Sequence, residues 1–164
     1  MDTSSTEKSF HSIISNPVRF RLFLLTKLPA AYFSGLRVKE FNDKSCIVTV
    51  PYKWFTKNPF RSTYFACLSM AAEMSTGILA MSNIYKRKPR ISMLVTGIEG
   101  KFHKKASGIT EFLCSEGNAI KEAINNSVSL NSSQTVKVLS SGYNPNKELV
   151  AEFFITWSFK PSNN

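Results

Sequence analysis

The chain has 164 residues, 43% of them hydrophobic, and carries 21 Lys and Arg against 11 Asp and Glu, for a formal net charge of +10. This is one domain's worth of sequence with enough apolar content for a single core, which argues against a disordered, fibrous or multidomain protein. The positive charge implies an anionic partner, and nucleic acid, phosphate-bearing cofactors and acidic membrane surfaces all qualify.

Residues 1–9, MDTSSTEKS, are expected to form a flexible tail, residues 10–160 a single domain and residues 161–164 a second tail. Asn16 followed by Pro17 marks a helix start. Val18, Leu22 and Leu25 then recur on one face, which Phe20 and Leu24 widen, and Pro29 closes an amphipathic covering helix. Arg19, Arg21 and Lys27 interrupt the apolar run too often for a signal peptide, and the expectation is a cytoplasmic protein. Leu36–Phe41 and Cys46–Tyr52 read as a hairpin turning at Asn42-Asp43-Lys44.

The segment from Ser62 to Met81 is predicted to be one long core helix, since it is apolar on nearly every face. Its single charged side chain is Glu73. An ionised carboxylate in such a helix needs a partner or a shifted pKa, so Glu73 is either a structural ion-pair residue or a functional one. The length just suffices for a membrane span, but Ser62, Thr63, Ser69, Glu73, Ser75 and Thr76 make the segment too polar for one.

Asn83–Arg90 reads as a polar basic loop, Ile91–Ile98 as a strand, Gly100 as a turn and Ala106–Cys114 as another strand. Ile120, Ile124 and Val128 suggest a short helix within 117–128. Thr135–Tyr143 and Glu148–Phe159 form a second hairpin around Asn144-Pro145-Asn146-Lys147. In its last strand Leu149, Ala151, Phe153, Ile155, Trp157 and Phe159 share a face. The fold class is therefore α+β, with a mostly antiparallel sheet of about six strands wrapped around the long helix. Cys46, Cys67 and Cys114 are far apart and read as buried reduced thiols. With His11 and His103 isolated, neither a metal site nor a Cys–His nucleophile pair is expected.

This order of elements resembles the hotdog-fold thioesterases, and NPFRSTYFACLSMAAEMSTG is similar to the central stretch of the branch known only as presumed acyl-CoA thioesterases. Many members place an Asn or Gln six residues before a His, a Gly after the His, and an Asp or Glu nine after it. Here those positions hold Asn58, Tyr64, Phe65 and Glu73, so two of the four match. The resemblance implies that Glu73 is general base or nucleophile, that Asn58 orients water or the thioester, and that the Phe65 amide polarises the carbonyl. It places Ser92 near a serine that assists in some members. Tyr64 serves either as a hydrogen-bond donor or as a core aromatic, and Asn58 is equally a turn residue ahead of the helix.

Nine residues set Tyr64 and Glu73 on opposite sides of one helix. The resemblance implies a site shared across a homodimer or a dimer of dimers. It also implies that the basic positions Arg61, Lys86, Arg87, Lys88, Arg90, Lys104 and Lys105 meet the phosphates of the substrate carrier. Those within 86–105 flank one apolar run and would gather at its two ends, where a solvated rim is the alternative. Trp54, Phe55 and Phe60 are candidates for an acyl channel or for plain packing. The expected activity is hydrolysis of an acyl-CoA or acyl-carrier thioester without metal or bound cofactor. The alternative is an acyl-CoA binding module that does not turn over. Nucleic-acid binding lacks a recognition motif.

Overall fold

The computed structural model describes residues 10–162; the tail expected at 1–9 and the last two residues lie outside the described residues. Residues 10–14 are helical and carry the buried Phe10 and Ile14. Helix α1 (Pro17–Lys27) begins as read, with Asn16 Oδ1 accepting from the Val18 and Arg19 amides at 3.1 Å each. Its orientation differs from the expectation. Phe20 and Leu24 face the core, while Val18, Leu22 and Leu25 face solvent. Apolar residues occupy both sides of α1, so packing on the rest of the chain selects the buried stripe. Pro29 does not simply end the element; it starts a second short helix, α2 (Pro29–Ser34), closed by Gly35 at φ 77°. That left-handed turn is where glycine is needed.

The expected hairpin is present as β1 (Arg37–Phe41) and β2 (Cys46–Val50). The central helix α3 (Phe65–Ile84) starts three residues later than read, because Thr63 and Tyr64 hold extended contacts first: the Thr63 amide donates to the Ala106 carbonyl and the Tyr64 amide to the Thr56 carbonyl, each at 2.7 Å. Strand β3 (Arg90–Phe102) runs through the turn expected at Gly100, which instead pairs with Phe153. There a Cβ would lie 3.0 Å from the Phe153 ring, so the missing side chain allows close approach. Strand β4 (Thr110–Cys114), helix α4 (Gly117–Ser129), β5 (Gln134–Tyr143) and β6 (Leu149–Ser162) complete the chain, with β6 passing the boundary expected at 160.

All strand pairs are antiparallel in one sheet of order β1-β2-β4-β5-β6-β3. Helix α3 lies on its concave face, against β2, β4, β5 and β6. From Ala151 to Phe159 the alternate residues of β6 are buried as expected. Trp157 Nε1 donates to Thr76 Oγ1 at 2.9 Å, tying β6 to the middle of α3. Two thirds (67%) of the apolar window of α3 is buried in the fold, which accounts for its membrane-like composition. The three cysteines are free and buried; burial pushes the Cys114 thiol up to about 11.

Helix α4 packs so tightly on the first hairpin that a Cβ at Gly117 would stand 2.3 Å from the Asp43 carbonyl oxygen. Backbone, unlike a side-chain tip, cannot swing aside. Gly117→Ala is expected to destabilise the domain by about 2–3 kcal/mol, read as a lower midpoint in chemical denaturation.

Candidate active site

The central helix leaves one stripe incompletely covered. Ala66, Ser69, Met70 and Glu73 are half-buried, whereas Cys67, Leu68, Ala71, Ala72 and Met74 are buried. Their spacing of three and four residues puts them on one helical face. The Glu73 carboxylate reaches toward Gly77 and the Trp157 ring: a Cβ on Gly77 would lie 3.2 Å from Glu73 Oε1 and 3.4 Å from Trp157. Burial raises the Glu73 pKa above its ordinary value, with no hydrogen bond or neighbouring cation to lower it again. Among the described residues Glu73 has no salt bridge, so the structural ion-pair reading lacks a partner.

The N-terminus of α3 is the second component. Tyr64 is its N-cap and makes no side-chain cap. The Cys67 and Leu68 amides return to the Tyr64 carbonyl, but the Phe65 and Ala66 amides have no acceptor among the described residues. Such free amides, with the helix dipole behind them, can stabilise developing negative charge. The Tyr64 and Phe65 rings are both exposed and meet edge to face at 4.9 Å. They border an open cleft of about 600 Å³ that Phe60, Phe102 and Lys105 also line.

Asn58 enters this cleft but has local work. Its Oδ1 accepts from the Phe60 and Ser62 amides at 2.9 and 3.2 Å, and its Nδ2 donates to Ser62 Oγ at 3.1 Å. The turn reading of Asn58 is thus visible in the geometry. Arg61 sits exposed in the same turn at φ 59°.

Other expected site residues are dispersed. Ser92 lies on the face of β3 opposite to Ile91, Met93 and Val95, which pack on the core, so the strand directs it away from α3. Lys86, Arg87, Lys88 and Arg90 border a separate cleft of about 820 Å³ at the C-terminal end of α3, and Arg87 Nη2 donates to Asn125 Oδ1 at 2.9 Å. Lys104 and Lys105 lie beyond the other end of β3, which at 13 residues separates the two groups by about 40 Å. The basic residues therefore form two groups, one at each end of the apolar run. Lys104 pairs with Glu148, and Lys105 Nζ reaches the Phe60 carbonyl at 3.4 Å. Of the three aromatics, Phe60 lines the cleft and Trp54 and Phe55 do not; Phe55 neighbours Phe33 at 6.4 Å, and Trp54 is exposed.

The Glu73 carboxylate and the free Phe65 and Ala66 amides do not meet within one chain, since seven to eight residues separate them by about 10–12 Å along the helix axis. Sequence reading missed the Ala66 amide and the Trp157–Thr76 anchor beside Glu73. The anchor joins residues 81 apart, which no local pattern signals.

The sequence profile of a family described as "Domain of unknown function (DUF4442)" matches residues 18–159. The chain belongs to the DUF4442 family. No curated protein matches it in sequence. Solved structures show that this DUF4442 chain has the hotdog fold. A Pseudomonas aeruginosa protein described as a probable thioesterase superposes with TM-score 0.75 at 17% identity, over 90% of this chain and 97% of its own. A Chlorobaculum tepidum protein of unknown function gives 0.73 at 14% identity, over 92% and 99%. A Haemophilus influenzae thioesterase gives 0.65 at 13% identity, over 91% and 93%. At these identities the fold is what the DUF4442 chain shares with them.

Proposed function

We propose that the protein is a thioester hydrolase, acting on acyl-CoA or an acyl-carrier thioester, with its site shared between two subunits. The observation that carries this reading is the half-buried Glu73 carboxylate, desolvated and without a salt-bridge partner among the described residues, on the uncovered stripe of a hotdog central helix. Two structural relatives are described as thioesterases, one of them as probable.

Dimerisation is supported by the edge strand β3, which among the described residues has β6 on one side and no strand on the other. Its residues Ile98 and Phe102 pair with the inward-facing Ile155 and Ala151, yet both are about half exposed. Apolar groups on a sheet's inner face beside an unpaired edge are what a second copy would cover. A two-fold contact there would bring the half-buried stripe of one α3 toward the N-terminus of the other. It would also run the two β3 strands antiparallel, carrying the Lys88–Arg90 end of one subunit toward the Lys105 end of its partner. In that arrangement the basic residues from both ends of β3 serve one carrier phosphate site.

The chemistry then uses groups already described. Glu73 takes a proton from water as the water oxygen attacks the thioester carbon. The carbonyl oxygen becomes an oxyanion facing the free Phe65 and Ala66 amides of the partner helix. Collapse breaks the carbon–sulfur bond, and Glu73 returns the proton to the thiolate, leaving a carboxylic acid and a free thiol. A carboxylate with a raised pKa is a better base near neutrality than an ordinary one. The buried thiols fit a reducing, cytoplasmic setting.

The test is thiol release from short, medium and long acyl-CoA substrates. Turnover on any of them that follows Glu73 supports the hydrolase. Saturable binding without turnover would favour an acyl-binding module, a reading supported by the Phe65 ring at the mouth of the helix N-terminus.

A further inference from the structure

Helix α1 is held by one side and apolar on the other. Opposite the buried Phe20 and Leu24, Val18 is 77% exposed and Leu22 61% exposed, with Leu25 and Leu28 continuing the ridge. The orientation is fixed rather than loose: Arg21 Nη1 donates to the Tyr32 carbonyl at 3.4 Å, and its guanidinium lies 3.9 Å over the Tyr32 ring. The next residue, Phe33, is exposed and neighbours the exposed Phe55, beside which Trp54 is 79% exposed. Water-facing apolar groups on this scale mark a contact surface.

The charge on these segments narrows the partner. Residues 16–38 contain Arg19, Arg21, Lys27 and Arg37 and no Asp or Glu, and residues 44–72 contain Lys44, Lys53, Lys57 and Arg61 and none either; Glu40 and Asp43 lie between these segments, and Lys39 pairs with Glu111. On the α1 wheel Arg19 and Arg21 flank the exposed stripe, about 90° to either side of it. A second copy meeting this face across a two-fold axis would set Arg19 and Arg21 of one α1 against those of the other, and α1 itself has no carboxylate to answer them. A bilayer of anionic phospholipid supplies an apolar layer and negative headgroups together, and an interfacial helix with basic flanks and nearby aromatics suits that boundary.

We propose that α1, Leu28, Phe33 and the Trp54–Phe55 turn form a peripheral docking face for an anionic membrane surface. Neither Trp54 nor Phe55 lines the cleft at the α3 N-terminus, and the proposal does not depend on hydrolysis. The full chain is floated with vesicles of phosphatidylcholine alone and of equal parts phosphatidylcholine and phosphatidylglycerol. Binding is expected to the mixed vesicles, to weaken as salt rises, and to be slight on the neutral ones. Arg19→Glu, at the flank of the exposed stripe, should weaken it by about fivefold or more. Leu22→Asp with Trp54→Ser should remove it, with thermal melting unchanged because both side chains are exposed. Lys88→Glu with Arg90→Glu, in the cleft at the C-terminal end of α3, should change it by less than about twofold. Three results would overturn the proposal: no binding of the wild type to mixed vesicles, an equal loss in the Lys88–Arg90 variant, or vesicle binding retained by Leu22→Asp while its oligomeric state changes. The last would assign the face to a second copy.

Discussion

Glu73→Gln is expected to lower kcat for thioester hydrolysis by about 10²–10⁴-fold while leaving acyl-CoA binding within a few-fold of wild type. The amide keeps the size of the side chain and its place beside Gly77 and Trp157, but cannot take a proton from water. In the wild type, activity should rise with pH through the elevated Glu73 pKa and then level off, because only the ionised form is a base. Stability should run the other way. Burial makes the folded chain hold the Glu73 proton to higher pH than the unfolded chain does, so this contribution is full below the ordinary value of 4.5 and is lost as pH rises through the folded value. At neutral pH the ionised carboxylate is therefore a cost. Glu73→Gln should be the more stable protein there, by on the order of 1 kcal/mol, and should lose that advantage in acid. Thermal melting at both pH values, beside steady-state kinetics, checks the pair. Unchanged turnover in the variant would remove Glu73 from the chemistry.

Phe65→Pro tests the other half of the site without unravelling the helix. Proline is tolerated at the first helical position, and Tyr64 before it already has φ −61° and ψ 134°, the extended conformation a following proline requires. The substitution deletes one free amide and one bulky ring. If that amide holds the oxyanion, kcat should fall by about 10²–10³-fold with the fold intact by circular dichroism. Higher activity would instead identify the ring as an obstruction and the amide as dispensable. Refolding Glu73→Gln together with Phe65→Pro then addresses the shared site. A mixed dimer contains one position with both an intact Glu73 and an intact Phe65 amide, so random mixing should restore roughly a quarter of wild-type turnover. A mixture no more active than its components would mean that each chain carries its own complete site.

The sequence by itself determined the kinds of element and their order. The Asn16-Pro17 start, the hairpin at residues 42–44, the apolar stretch around residues 65–81 and the alternation of β6 all write their structure locally, through capping, turn chemistry and periodicity. Glu73 was legible for a similar reason: a lone carboxylate in an apolar helix is anomalous before any coordinates exist. Tertiary structure decided what local pattern leaves degenerate. Helix α1 has an apolar stripe on each side, and only docking chose Phe20 and Leu24 for the core and left Val18 and Leu22 in solvent. The Gly100 turn became strand because β6 was long enough to pair with it. Ser92 fell on the outer face of β3 through the parity of the strand, a matter of register that a one-residue shift would reverse. The remoteness of Glu73 from the α3 N-terminus follows from helix geometry. The uncovered stripe and unpaired edge beside it arise from how the sheet ends, which depends on contacts between segments far apart in the chain.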